Sequence, residues 1–466
     1  MEGEKIMTGK MDSHAPSSMK TNILFAMSEF ATNPMATILM ALLVYFYTDV
    51  IGINPAVVGT ILLVSRCMDG ISDLIAGNIV DHTKSKSGVC RPWYLRMAIP
   101  FGLAFIILFT VPNWGPAGKA AYIFISYNLA STVAYTLVNA AMSAYPTFLT
   151  KNRASRSIMS TMRLFVACGT QIILMMFALR WVQALGGDQA AWIRFAAILG
   201  AIAAAVMIFI YANTRELSDG NDEKRETVSF LTGVKALLKN KYWFVLVFTF
   251  FLGVIVQVCT LTDGVYYAKY VLNDLNMQAN LTLYFLVPNL FPMLVLPTLF
   301  KKGVSKRNLC ILGAVLLLIG TGIGVAFPAG IGFIVGLALR GIGYGFNACC
   351  QAAMVFETVV YGEWRTGINI PAMTQTATSA AQKLGSGIGA ALLGFVMSAA
   401  GYDGMAEVQP ASAVHAINVI YMIVPAVLAL IWIICFYFYR LDKDYPRYVE
   451  EIEARKAQKT KEAVQE

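Results

Sequence analysis

Residues 62–81 read LLVSRCMDGISDLIAGNIVD. The stretch leading into them, NPAVVGTILLV (54–64), is apolar, and a short polar loop follows. A helix that crosses a bilayer needs about 20 largely apolar residues, and this segment has that length. Yet it holds Arg66, Asp69 and Asp73. A charge at the centre of a bilayer costs roughly 2.5–3.5 kcal/mol on insertion scales. Three charges in one span therefore need a use.

The composition agrees with a membrane setting. The chain has 466 residues, 57% hydrophobic and 14% charged, with a mean hydropathy of +0.62. Soluble domains carry about 25% charged residues. The expected class is an all-α integral membrane protein. The polar start, MEGEKIMTGKMDSHAPSSMK, has no secretory apolar region, so the first span is expected to be retained. The cysteines are scattered, and His14, His82 and His415 do not cluster. A disulfide scaffold, a zinc site, haem or another cofactor is not expected. The net charge of +9 is assigned to cytoplasmic loops rather than to a nucleic-acid partner.

Twelve apolar segments are expected, at roughly 21–47, 55–80, 94–112, 119–148, 156–183, 190–212, 243–272, 279–299, 309–327, 331–360, 375–399 and 413–437. One alternate set of loops carries Lys84, Lys86, Arg91, Lys151, Arg153, Lys224, Arg225, Lys235, Lys239, Lys301, Lys302, Lys306, Arg307 and Arg365. The other set (TDVIGIN, NDLNMQAN, FPAGIG, AAGYDGMAEVQPAS) has almost no Lys or Arg. The positive-inside rule then puts the bare loops outside and both termini in the cytoplasm.

The longest internal loop divides the chain six plus six. The expected organisation is a polar N-terminus (1–20), a six-helix bundle (21–212), an inter-bundle loop (213–242), a second bundle (243–437) and a cytoplasmic tail (438–466). Within the loop, Val228 to Tyr242 reads as an amphipathic segment on the inner surface. The tail reads as a short exposed helix after Pro446. This is the major-facilitator architecture, with substrate handled between two halves near the midplane. The internal repeat is faint in sequence: GNIVDHTKSKSG after span two and PTLFKKGVSKRN after span eight are its matching pair.

The intramembrane polar residues converge in depth. Glu29, Asp69, Asp73, Asn139, Arg163 and Lys383 all lie about seven to eleven residues from the cytoplasmic ends of five spans. At 1.5 Å per residue they share a layer roughly 10–17 Å deep. Misplaced charges or snorkelling ends would scatter toward the interfaces, so a shared layer argues for one polar cavity. Asp69 and Asp73 are i and i+4, on one helix face, with Arg66 one turn back. Two carboxylates this close need a cation or a proton between them. Ser72 and Thr136 add neutral oxygens if they face the same way. Arg66–Asp69 also reads as a purely structural ion pair. Asp81 with Lys84 reads as a gating or packing element at the inner rim. For Asp263 and Arg340, in the outer half, an ion pair and a substrate contact both stay open. Tyr266, Tyr267 and Tyr270 suit either sugar stacking or an interfacial belt. Gly385, Gly387 and Gly389 read as helix-packing glycines.

Several stretches carry a family resemblance. YFYTDVIGINPAVVGTILLVSRCMDGISD (45–73), GNIVDHTKSKSGVCRPW (77–93), YTLVNAAMSAYPTFLT (135–150), RASRSIMSTMR (153–163), GVYYAKYVLND (264–274), VYGEWRTG (360–367) and AAQKLGSGIG (380–389) occur in order along nearly the whole chain. Together they resemble the glycoside-pentoside-hexuronide:cation symporters, the melibiose permease group of the major facilitators. The resemblance implies that Asp69 and Asp73 are the cation-site aspartates, with Thr136 a further ligand. It puts Glu29, Arg163 and Lys383 at the sugar. Tyr135 and Tyr266 are further substrate-binding candidates, outside the resemblance. Ser72 stands where an asparagine is expected beside the cation, so sodium preference does not carry over. Asn139 replaces a sugar-binding aspartate and Ser143 a tryptophan.

The expected function is symport of a sugar or sugar derivative driven by Na⁺ or H⁺, by a monomer in the cell (inner) membrane. An intramembrane prenyltransferase would need a second Asp-rich motif, which the sequence lacks. A lysolipid carrier of the same fold is the competing cargo reading. With the ion bound, the layer sums to a small net positive charge, which favours an acidic sugar; an aspartate at Asn139 would have cancelled it.

Overall fold

The computed structural model describes residues 17–83, 85, 87–150, 152–216, 230–368, 370–406 and 408–465. Lys84 of the rim expectation lies outside these, and the Asp81 side chain is likewise not described. The described residues form helices, turns and loops, with no strand among them. In chain order the helices are α1 (Met19–Ala41, continuing through Leu43–Tyr45 into a π-helical turn, Phe46–Val50), α2 (Pro55–Asp81), α3 (Arg91–Ile107), α4 (Pro116–Leu149) and α5 (Arg153–Ala184). There follow α6 (Gln189–Asn213), α7 (Phe230–Leu238), α8 (Lys241–Val271), α9 (Met277–Lys301) and α10 (Lys306–Ala326). The chain ends in α11 (Gly330–Thr366), α12 (Pro371–Ala399), α13 (Ala411–Phe438) and α14 (Leu441–Gln465).

Ten of these helices are long and apolar enough to cross a membrane. Among the described residues, α2, which carries Arg66, Asp69 and Asp73, and α3, with 17 helical residues, are not in that group. The tail differs from its expected short helix: α14 has 25 residues and runs through Pro446. Helix starts follow the capping residues of the loops. Asp188 accepts from the Ala191 amide at 2.8 Å, and Asn240 from the Trp243 amide at 3.0 Å. Each satisfies a backbone donor that the first turn leaves without a partner. Large apolar side chains such as Ile99, Ile125, Leu294 and Ile331 are exposed, as lipid-facing residues are in a bilayer.

The chain forms two compact units. The first comprises residues 1–39, 71–174 and 181–225. In it α3 and α6 pack backbone to backbone, because Gly102 and Gly200 each face the other's carbonyl. The second comprises residues 40–70, 175–180 and 226–466. There α10 and α11 meet through Gly313, Gly320, Gly336 and Gly343, where added Cβ atoms would collide with the facing backbone. Small residues at such crossings let helices gain close dispersion contact where no hydrophobic effect operates between them. The same unit holds α2 against α12. Gly59 lies on the Ala391 backbone, Gly394 on the Pro55 carbonyl and Gly387 on Arg66. Gly385 and Gly389 pack on Phe251 and Val258 of α8.

Each unit also contains the same clasp, which the sequence hardly shows. In the first, Glu216 caps α3, accepting from the amides of Val89, Cys90 and Arg91 at 2.7, 2.9 and 2.6 Å. Arg91 Nε donates to the Tyr211 carbonyl at 2.8 Å. In the second, Asp442 caps α10, accepting from Ser305 Oγ at 2.7 Å and the Arg307 amide at 3.0 Å. Arg307 Nε donates to the Phe436 carbonyl at 2.8 Å. In each case a carboxylate sits on the positive end of a helix dipole, and an arginine satisfies a last-turn carbonyl. Different residues make the same bonds, so the repeat survives in structure after it has faded in sequence.

Candidate functional site

In the first unit, Glu29 of α1 and Arg163 of α5 come together. Arg163 Nε donates to Glu29 Oε1 at 2.5 Å, and the Glu29 side chain is 7% exposed. A second arm of the guanidinium reaches Asn139 Oδ1 of α4 at 3.4 Å. Three residues expected in one layer thus form one contact set on three helices. Pairing lets a carboxylate and a guanidinium share an interior where either alone would be costly. The fork of Arg163 remains suited to bidentate polar partners such as vicinal hydroxyls. α4 is irregular at this level: residues Leu129–Tyr135 are π-helical. Such bulges are enriched at functional sites, and this one ends at Tyr135, immediately before Thr136. Thr136 is buried and donates its hydroxyl to the Ser131 carbonyl at 3.1 Å, which leaves its oxygen lone pairs for a cation.

One unbroken helix, α2, carries Arg66, Asp69, Ser72 and Asp73. Arg66 Nη1 lies 3.0 Å from Asp69 Oδ2, the pairing that the i, i+3 spacing suggested. Asp69 is 1% exposed, whereas Ser72 and Asp73 are half-buried. Gly387 makes room for Arg66, since a Cβ there would fall 2.9 Å from the Arg66 Cβ. Lys383 is half-buried on α12.

A second polar cluster, in the second unit, was not anticipated from sequence. Asp49 lies in the π-helical turn of α1, and four groups converge on it. Lys269 Nζ lies at 2.6 Å, Tyr270 OH at 2.8 Å, Tyr402 OH at 2.7 Å and Thr48 Oγ1 at 2.7 Å. Tyr266, expected at the substrate, is fully buried and shares a 2.8 Å hydrogen bond with Thr48. Tyr267 stacks on Tyr421 at 4.3 Å. In this conformation these rings are engaged within the protein.

The cluster joins two copies of one motif. Val44, Tyr45, Val50, Ile51 and Gly52 correspond to Val265, Tyr266, Val271, Leu272 and Asn273. Both copies are π-helical, at Phe46–Val50 and Tyr267–Val271. The Ile51 amide donates to Phe46 at 3.1 Å, and Leu272 to Tyr267 at 3.0 Å. The Ile53 amide donates to Tyr47 at 2.9 Å, and Asp274 to Ala268 at 3.0 Å. Both turns close on a left-handed residue, Gly52 (φ 76°) and Asn273 (φ 55°), types that tolerate this region. Equivalent positions meet: the Tyr45 ring lies 6.1 Å from Tyr266, and Asp49 bonds Tyr270. This is the pattern of a contact across a local two-fold axis. Asp49 was read as part of a bare loop; the repeat VYFYTDVIG / VYYAKYVLN was the available signal.

Asp263 and Arg340 do not form an ion pair. Both are buried, yet among the described residues neither Asp263 oxygen has a hydrogen-bond partner. Arg340 donates instead to the Tyr421 carbonyl at 3.0 Å and to Thr260 Oγ1 at 3.3 Å.

The model of the family described as MFS/sugar transport protein matches residues 24–443. The chain belongs to this family. It is 31% identical over 441 residues to the isoprimeverose transporter of Lactiplantibacillus pentosus, covering 93% of this chain and 91% of that protein. It is 27% identical over 418 residues to the putative glycoside/cation symporter YagG of Escherichia coli, covering 88% and 89%. Among solved structures it resembles the inward-open xylose transporter XylE of E. coli, with a TM-score of 0.57 and 14% identity, over 89% of this chain and 95% of that one. The chain is thus a multi-pass membrane protein of a sugar-transport family, not an enzyme.

Proposed function

We propose that this transporter is a cation-coupled symporter of a sugar or sugar derivative that binds its sugar at Glu29, Arg163 and Asn139, with Tyr135, Tyr266 and Lys383 acting in the same transport step. The coupling ion, Na⁺ or H⁺, binds at Asp69 and Asp73, with Ser72 and Thr136 as neutral oxygen donors. The observation that carries this reading is the 2.5 Å contact between Arg163 and Glu29, placed within reach of Asn139. A carboxylate accepts and a guanidinium donates, so adjacent sugar hydroxyls can bond to both at once. Neutralising the α2 carboxylates lowers the cost of a dry, closed state, which links ion to sugar by differential binding.

In this reading α2 and α3 complete twelve spans, arranged as bundles 21–212 and 243–437. Both termini face the cytoplasm, and the end bearing Asp49 faces outward. The protein acts as a monomer and needs no cofactor beyond the coupling ion. The test is uptake into vesicles of a panel of glycosides, pentosides and uronides under imposed Na⁺ or H⁺ gradients. A sugar accumulated under one gradient supports the reading. Uptake that ignores both gradients would overturn the coupling assignment.

A further inference from the structure

Asp263 starts the last turns of α8, one turn below Tyr266 of the Asp49 cluster. It is fully buried, and neither of its oxygens meets a donor. An ionised carboxylate stripped of water and partners is among the costliest groups a protein can hold. Other buried polar atoms nearby are equally unsatisfied. Arg340 of α11 is 1% exposed and its Nε has no partner. Its guanidinium lies over the Tyr421 ring, 5.0 Å from the centroid, and the Tyr421 hydroxyl also has no partner. Gly264, next to Asp263, abuts the same ring. So α8, α11 and α13 hold an acid, a guanidinium and a phenol around one aromatic stack, without joining the acid to either donor.

We infer that Asp263 is a proton-binding site, distinct from the α2 carboxylates, that is filled while the Asp49 cluster is closed and emptied when that cluster opens. In the closed arrangement the carboxyl keeps its O–H bond and is neutral. Opening parts Tyr266 from Thr48 one turn above and admits water to Asp263. The O–H bond then breaks, the proton passes to external water, and the electron pair stays on a carboxylate that can turn to Arg340 and Tyr421. The groups bearing on Asp263 are Cys259 of its own helix, Tyr266 and Tyr267 of the following turn, and Tyr421 of α13. Arg340 bears on Cys259, Tyr267 and Tyr421. The segment 277–289, which packs on the same turn, has Tyr284 as its titratable residue. Among these Arg340 alone is charged near neutrality, so it is the natural counter-ion of the open state. With one proton lost on opening, the open fraction should rise about tenfold per pH unit while Asp263 titrates.

The inference takes the outward orientation from the proposed function, but its test needs no sugar. Infrared spectra of the purified full-length protein at neutral pH should contain a protonated-carboxyl C=O band that Asp263→Asn removes and Asp263→Glu shifts. Spin labels introduced by Asn54→Cys and Asn276→Cys, with the exposed Cys67 replaced, report opening across the cluster. Opening should rise with pH in the wild type and become flat in Asp263→Asn. Should Asp263→Asn not fold, the shifted band of Asp263→Glu carries the test alone. A band that neither variant alters, or the same pH profile in wild type and Asp263→Asn, would overturn the proton site. Loss of sugar uptake with both signatures intact would count against the transport reading only.

Discussion

Lys269 Nζ sits 2.6 Å from Asp49 Oδ1, so two copies of one backbone motif are joined by a charge-assisted bond. Tyr270 and Tyr402 add hydroxyl donors to the same carboxylate. Such a bond contributes about 1.5–3 kcal/mol. Lys269→Met should therefore shift the closed arrangement toward open by roughly ten- to hundredfold. Labelling of a cysteine placed near Tyr402 should speed up accordingly, and exchanging the pair (Asp49→Lys with Lys269→Asp) should slow it again. Equal labelling rates in Lys269→Met and wild type would remove the pair from gating.

With the coupling ion at Asp73 as proposed, Asp73→Asn is expected to abolish uphill accumulation. Exchange of sugar across the membrane should survive. Concentrative uptake at the wild-type level, in a correctly inserted variant, would exclude Asp73 from coupling. Asp69→Asn should lose coupling too and also release Arg66 from its 3.0 Å partner, with a lower melting temperature.

Arg163→Ala leaves Glu29 as an unpaired buried charge, which should cost about 3–5 kcal/mol of stability. Arg163→Lys keeps the charge and loses the fork, so it should fold while binding sugar poorly. Thermal shifts separate the roles: the sugar-induced shift should vanish in Arg163→Lys and the cation-induced shift should persist. The opposite result would mean that the two sites have been interchanged.

Asn139 presents an amide to Arg163 where an aspartate would present a carboxylate. An acidic sugar can supply that missing negative charge. Uptake of a glucuronide should exceed that of its neutral glucoside in the wild type, and Asn139→Asp should reverse the preference. A ratio unchanged by the substitution would refute the charge argument.

Glu451 of α14 accepts from Trp364 Nε1 at 2.6 Å and Arg447 Nε at 2.8 Å. The indole bond first, and then the guanidinium, hold its carboxyl below the usual range. Its contribution to docking is complete above the unfolded value of about 4.3 and is lost as pH falls through the lower folded value. Hydrogen exchange of residues 441–455 should accelerate below about pH 4, and Glu451→Gln should remove that acid step.

Much of this protein was legible along the chain, because a bilayer imposes its terms on each helix separately. The expected span lengths, loop charges and depths of Glu29, Asp73, Arg163 and Lys383 rest on local hydropathy and a fixed rise per residue. The Arg66–Asp69 pair was legible too, since both residues sit on one turn of helix. The depth of a residue does not give the rotation of its helix, and rotation chooses partners. That is why Asp263 and Arg340, expected at similar depth, do not pair with each other, while Glu29 meets Arg163 across 134 positions of sequence. Asp49 looked like a loop residue because its distant partners come from two segments, Lys269–Tyr270 and Tyr402, and its π-helical turn has no hydropathy signature. The sequence determined what each helix must bury; only tertiary packing decided which buried charges face one another, because a helix presents one face at a time.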